Sequence, residues 1–214
     1  FTERFAEAIR VVRLPEMEFI DGGGIPVFTG EEGPEYSLPM GVSLYKRPAD
    51  GAIFAIVGRK NGPEEGYLWQ YRLQASGGHI TGTRVRQFGN FSGQKEIEAI
   101  FVDDAMGYVY YSDEGYGIHK YYADPDSSNT ELALFGREGF QDDHEGISIY
   151  PTGEKSGYIL VSDQQSNSFR VFERFGSDEE PHRHEFIREI PMSTVESDGS
   201  EVTAVNLGSE FPQG

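Results

Sequence analysis

Gly107-Tyr-Val-Tyr-Tyr-Ser-Asp113 and Gly157-Tyr-Ile-Leu-Val-Ser-Asp163 are two copies of one strand. Each opens on a glycine, runs through apolar residues and stops at Ser-Asp, the punctuation of a strand between two turns. Working outward, each is preceded by an acid-led apolar run, Glu98-Ala-Ile-Phe-Val102 and Glu145-Gly-Ile-Ser-Ile149. Each is followed by a third strand, Gly117-Ile-His-Lys-Tyr121 and Ser168-Phe-Arg-Val-Phe172. An earlier copy runs Gly41-Val-Ser-Leu-Tyr45, Gly51-Ala-Ile-Phe-Ala-Ile-Val-Gly58 and Gly66-Tyr-Leu-Trp-Gln-Tyr71. The repeat is therefore roughly 45 to 60 residues, the length of one four-stranded antiparallel propeller blade.

A helical solenoid of that period is excluded, because no segment sustains a helical period and only Phe5 to Ile9 allows a short helical turn. Strands are expected from Ile9 to Leu14, Val42 to Tyr45, Ile53 to Val57, Leu68 to Leu73, Ala99 to Val102 and Tyr108 to Tyr111. Further strands are expected from Ile118 to Tyr122, Ile147 to Tyr150, Tyr158 to Val161 and Phe169 to Phe172. An isolated blade exposes an edge and an apolar face, so blades assemble into rings. About three and a half blades fit between Ile9 and Val205, fewer than the four to eight that close one. The expectation is an all-β propeller of four-stranded blades in which residues 1–214 form part of a single domain. Blades are expected to be missing at the amino end, and a closing strand after Gly208-Ser-Glu-Phe-Pro-Gln213.

Composition narrows the function. With Lys+Arg 18 against Asp+Glu 36 the net charge is -18, which argues against nucleic acid and anionic membranes as partners and makes a bound cation plausible. The chain has no cysteine, hence no disulfide framework, no thiolate nucleophile and no zinc-cysteine site. No apolar run approaches the length that spans a bilayer, and Phe1-Thr2-Glu3-Arg4 lacks the layout of a signal peptide.

The acids fall at repeated places. Glu98, Asp143 and Glu145 sit where loops lead into the innermost strands of successive blades, and Asp198-Gly-Ser-Glu201 repeats the layout less clearly. Glu114 follows the second strand of its blade and can join them. Carboxylates converging on one channel repel, so their pKa values rise or a cation binds. Oxygen-only ligands favour Ca2+ or Mg2+, and irregular loop geometry favours calcium. The competing reading is that acids beside turns are simply solvated.

Arg59 and Lys60, ahead of the turn Asn61-Gly-Pro63, and Arg4 are candidate phosphate ligands, with ordinary surface charge as the alternative. On a strand His144 points away from Asp143 and Glu145 and is not a general base. His182 and His184 lie in a polar loop and are expected to be exposed. Tyr67, Trp69 and Tyr71 are expected to pack within a blade. Asp21-Gly-Gly-Gly24 is a turn with no helix after it to cradle a phosphate.

Several ordered segments resemble the β-propeller phytase family over nearly the whole chain, most strongly from Gly89 to Arg174. They are Glu98-Ala-Ile-Phe-Val-Asp-Asp104, Tyr110-Tyr-Ser-Asp-Glu-Gly-Tyr-Gly-Ile-His-Lys-Tyr121, Ala123-Asp-Pro-Asp126, Asp143-His-Glu-Gly-Ile-Ser-Ile-Tyr150 and Leu207-Gly-Ser-Glu-Phe-Pro212. The resemblance implies a six-bladed, calcium-dependent enzyme of the 3-phytase kind, which removes phosphates from inositol hexakisphosphate. It also implies a secreted or periplasmic protein, expected as a monomer that takes its substrate as a calcium complex. It implies that Glu98, Glu114, Asp143 and Glu145 hold a catalytic calcium cluster and its activated water, with Asp198 a further member. Arg59 then stands where the family carries a phosphate-binding lysine, and Arg4 matches an upstream phosphate-binding arginine. Met40 stands where the family has an active-site tyrosine, and a thioether does not replace a phenol oxygen toward a hard metal. The alternatives are a non-catalytic, calcium-stabilised propeller that serves as a binding module and, on architecture alone, a lactonase-like calcium propeller.

Overall fold

The computed structural model describes residues 1–197 and 199–214, and within them the chain folds into seventeen short strands. The first nine are β1 Thr2–Glu3, β2 Ala8–Ile9, β3 Val12–Arg13, β4 Glu18–Phe19, β5 Ile25–Pro26, β6 Pro39–Lys46, β7 Ile53–Arg59, β8 Glu65–Ser76 and β9 His79–Asn90. They continue as β10 Ile100–Asp103, β11 Tyr108–Asp113, β12 Gly117–Tyr122, β13 Ala133–Phe135, β14 His144–Pro151, β15 Gly157–Asp163, β16 Ser168–Glu173 and β17 Phe186–Pro191. Three sheets are four-stranded antiparallel meanders, β6-β7-β8-β9, β10-β11-β12-β13 and β14-β15-β16-β17. A three-stranded sheet, β1-β2-β5, and the pair β3-β4 complete the amino-terminal part. The architecture is all-β and propeller-like.

Period-two alternation explains how the sheets stack. In β7, Phe54 and Ile56 face the second blade and pack with Val109, Tyr111 and Tyr121, whereas Ala55 and Val57 face the amino-terminal sheet and pack with Ile9, Ile25 and Phe28. In β11, Tyr110 turns the other way, toward Ile147, Ile149, Ile159 and Phe172 of the third blade. Both faces of each middle strand are buried, so these strands read as nearly continuous apolar runs. Each such Ile, Val or Phe contributes roughly 1.5–3 kcal/mol by leaving water.

The first strands of the blades lie side by side, β6 against β10 and β10 against β14. The approach is close at the glycines. A Cβ on Gly41 would stand 1.8 Å from the Glu98 carbonyl oxygen, and one on Gly146 would stand 2.7 Å from the Ser200 amide nitrogen. A buried ion pair ties the second and third blades together at their far end, where Arg174 Nε and Nη2 each donate to an Asp103 carboxylate oxygen at 2.7 Å.

The three outer strands β9, β13 and β17 are not legible as apolar runs. β17 is exposed along its length, and β9 carries exposed Thr and Arg through most of its run. The run expected as one strand from Ile9 to Leu14 is two pieces in different sheets, β2 and β3. Buried Asp21 causes the break, accepting from the Val11 amide and from Arg10 Nε at 2.9 Å each. The helical turn allowed at Phe5 to Ile9 is a 3-10 turn at Arg4–Ala6. Tyr67, Trp69 and Tyr71 are buried, as expected of packing residues. His184 corrects the reading of an exposed loop. It is buried, packs on Phe135 and donates through Nδ1 to the Glu173 carbonyl oxygen at 2.7 Å. Burial pushes it down to about 3, so it stays neutral. His182 packs edge-on against Tyr108.

Candidate metal and phosphate site

One backbone hydrogen bond occurs three times. Lys60 N donates to Leu38 O at 2.7 Å, Glu114 N to Glu96 O at 3.1 Å and Gln164 N to Asp143 O at 3.3 Å. Each closes the end of a first-strand, second-strand hairpin, which makes Lys60, Glu114 and Gln164 equivalent. Leu38, Glu96 and Asp143 are likewise equivalent, and two residues further on stand Met40, Glu98 and Glu145. The same backbone frame thus presents different side chains in each blade.

In the second and third blades all of these positions but Gln164 carry acids, and three of the acids meet. Carboxylate oxygens of Glu98, Glu114 and Glu145 all lie within 4.8 Å of one another. Glu114 and Glu145 are buried and Glu98 is partly buried. Burial, followed by the charges of Glu145, Asp143, Glu98 and Glu96, pushes Glu114 up to about 8. Glu98 is also raised, by burial first and then by its hydrogen bond with Glu96 and that residue's charge. An all-oxygen donor set with this much repulsion fits a hard divalent cation, which would relieve it.

Asp143 stands at the rim of this cluster with both oxygens engaged. Oδ1 accepts from the Lys95 ammonium, and Oδ2 accepts from Gln165 Nε2 at 2.8 Å. Asp198 lies outside the described residues. Its neighbours Gly199, Ser200 and Glu201 line the same cavity as Glu98, a space of about 590 Å3 whose lining also includes Thr2, Arg4 and Met40.

Of the three cations expected to meet phosphate, two sit at this cavity or beside its acids. Arg4 is exposed, and its guanidinium rests against the Met40 sulfur. Lys60 is partly exposed and pairs with Glu96. Arg59 is buried, against both readings of it, a phosphate ligand and an ordinary surface charge. Its side chain is fully buried, donates to the carbonyl oxygens of Tyr67 at 2.9 Å and Gly66 at 3.1 Å, pairs with Glu31 at 2.6 Å and lies over the Phe28 ring. The reason is register. Arg59 pairs with Pro39 as Asp163 pairs with His144, a position that points into the sheet. Asp113 and Asp163 at that place likewise turn inward, Asp113 accepting from Ser92 N and Asp163 from Gln141 N. His144 is buried on Phe140, with Nε2 at 3.0 Å from the Gly136 carbonyl oxygen and Nδ1 accepting from Gly115 N at 3.2 Å. It faces away from the acid cluster.

Two residues at the site escaped the sequence reading, Glu96 and Lys95. Glu96 carried a usable signal, since Glu96-x-Glu98 repeats as Asp143-x-Glu145. Lys95 carried none, because nothing in the local sequence shows that it reaches across to the next blade.

Fold and site define a class, that of all-β, propeller-like proteins with a carboxylate cluster where their inner strands meet. A profile of the phytase family matches residues 34–214, and the chain belongs to that family. It is similar to the 3-phytase of Bacillus subtilis (strain 168), 32% identical over 208 residues that cover 93% of this chain and 53% of the relative. The chain thus spans about half the length of the curated relative it matches. No helix among the described residues is long and apolar enough to cross a membrane.

Proposed function

We propose that the chain carries the cation-binding part of a calcium-dependent phosphomonoesterase acting on phytate or a related phosphate ester. The observation that carries this reading is the meeting of Glu98, Glu114 and Glu145 within 4.8 Å. Family membership and the similarity to a 3-phytase supply the substrate class. Calcium is the cation of choice for loop-supplied carboxylates, and it would supply positive charge against a polyanion and acidify water held beside it. Glu98, Glu114 and Glu145 are the residues that would hold it, with Asp143 at the rim and Asp198 a further candidate.

The chain's own residues then divide the remaining work. Arg4, which lines the cavity with Glu98, offers a planar donor pair to a phosphate oxygen, and Lys60 a point charge beside Glu96. Glu114, pushed up to about 8, holds a proton near neutral pH until a cation displaces it. Residues 1–214 are read as belonging to one propeller domain. The protein is placed outside the cytoplasm, secreted or periplasmic, and acts as a monomer.

A second reading, a calcium-stabilised binding module without catalysis, is favoured by Met40, which breaks the run of acids at its position, and by the burial of Arg59. Phosphate release from phytate, measured on the full-length protein with calcium and with chelator, separates the two. Glu98→Gln and Glu145→Gln are each expected to lower kcat by at least about a hundredfold, the scale of losing a group that acts at the reacting centre. No release from the parent protein, with a melting temperature that still responds to calcium, would establish the binding module, and undiminished release in the two variants would make these acids structural ligands rather than catalytic groups.

A further inference from the structure

Lys95 belongs to the loop before the second blade, yet its ammonium contacts Asp142 and Asp143, which lead into the third. Its alkyl chain lies over Gly115, with the Gly115 Cβ position 3.7 Å from Lys95 Cδ, so the stem crosses the residue next to Glu114. The lysine is therefore held across the mouth of the acid cluster. A cation that recruits Asp143 must take Oδ1 from an ammonium already on it, and must also tolerate a like charge a few ångströms away.

We propose that Lys95 is a tethered cation that competes with the divalent cation for Asp143 and thereby sets the affinity of the Glu98, Glu114 and Glu145 cluster. This rests on the reading of the cluster as a cation site. The ammonium is part of the chain and always at hand, so Asp143 remains neutralised when calcium is scarce. The divalent ion wins only above a threshold concentration. Coulomb repulsion between charges of one and two that compete for one carboxylate, in a medium of high effective dielectric, is on the order of a factor of ten in affinity.

The test is titration calorimetry with calcium chloride on the full-length protein at fixed pH and ionic strength. Lys95→Gln is expected to lower Kd about tenfold, and Lys95→Arg, which keeps the charge, to leave it within about threefold of the parent. Adding Asp143→Asn to the parent and to Lys95→Gln should erase most of the difference between them, since the carboxylate at issue is gone. Parent and Lys95→Gln proteins with Kd values within twofold, or a weaker Kd in Lys95→Gln, would overturn the competition while leaving the cation site standing. No saturable heat in the parent or in Lys95→Gln would overturn the cation site and the competition together.

Discussion

Glu114 ties the chemistry of the site to pH. Its folded pKa of about 8 lies above the ordinary 4.5, so the folded protein holds a proton that the unfolded chain releases earlier. Stability from this group is therefore full below about 4.5 and is lost as pH rises through about 8. A cation reverses the balance, because it binds the ionised form and must displace the proton. Calcium affinity is expected to climb with pH between 6 and 8, toward tenfold per unit for one displaced proton, and to level above 8. Glu114→Gln should flatten most of that climb. Calorimetry across that range checks it, and a parent protein whose Kd stays constant from pH 6 to 9 would show that the metal displaces no proton from Glu114.

At the scale of the element, β-hairpins rather than single residues decide what can be read. Strands buried on both faces, such as β7, β11 and β15, are legible because their apolar runs have no polar interruption, and so is the repeat that they define. The outer strands are not, since one side chain in two or more meets water and the pattern dissolves into Thr, Arg and Glu. Acids at the cluster were legible because two blades repeat them at one place in the hairpin. The burial of Arg59 is not legible for the complementary reason: a cation before Asn-Gly-Pro fits a phosphate ligand or a surface charge equally, and only the pairing of β6 with β7 reveals that it turns inward. Contacts between hairpins are invisible to any local pattern, and the Arg174 to Asp103 pair is the clearest case. Both side chains are 3% exposed. Arg174→Ala leaves Asp103 buried beside no guanidinium and is expected to cost about 3–5 kcal/mol. Urea unfolding measures it, and a loss below about 1 kcal/mol would mean that water reaches Asp103.

For the whole molecule the dominant fact is a net charge of -18 on a single stack of sheets. Self-repulsion of that size opposes the compact state and is screened by any salt. A specific cation acts differently, adding RT ln(1 + [L]/Kd), about 2.7 kcal/mol at a hundredfold excess over Kd. Thermal melts of the full-length protein in sodium and in calcium at matched ionic strength distinguish the two. Calcium is expected to raise Tm beyond the sodium control, and Glu98→Gln to abolish the excess. Identical curves in the two salts would reduce the acids to ordinary surface charge.

The thrice-repeated hydrogen bond at Lys60, Glu114 and Gln164 has an evolutionary corollary. Because the backbone alone fixes the address, the occupant is free to change sign without disturbing its neighbours' geometry. One blade has drawn a base there, the next an acid, the third a neutral amide. Such a rim can be rewritten one letter at a time, each rewriting altering which ligand is welcome and none asking the scaffold to be reinvented. Repeated hairpins thus supply an alphabet of charge that is independent of the architecture that displays it.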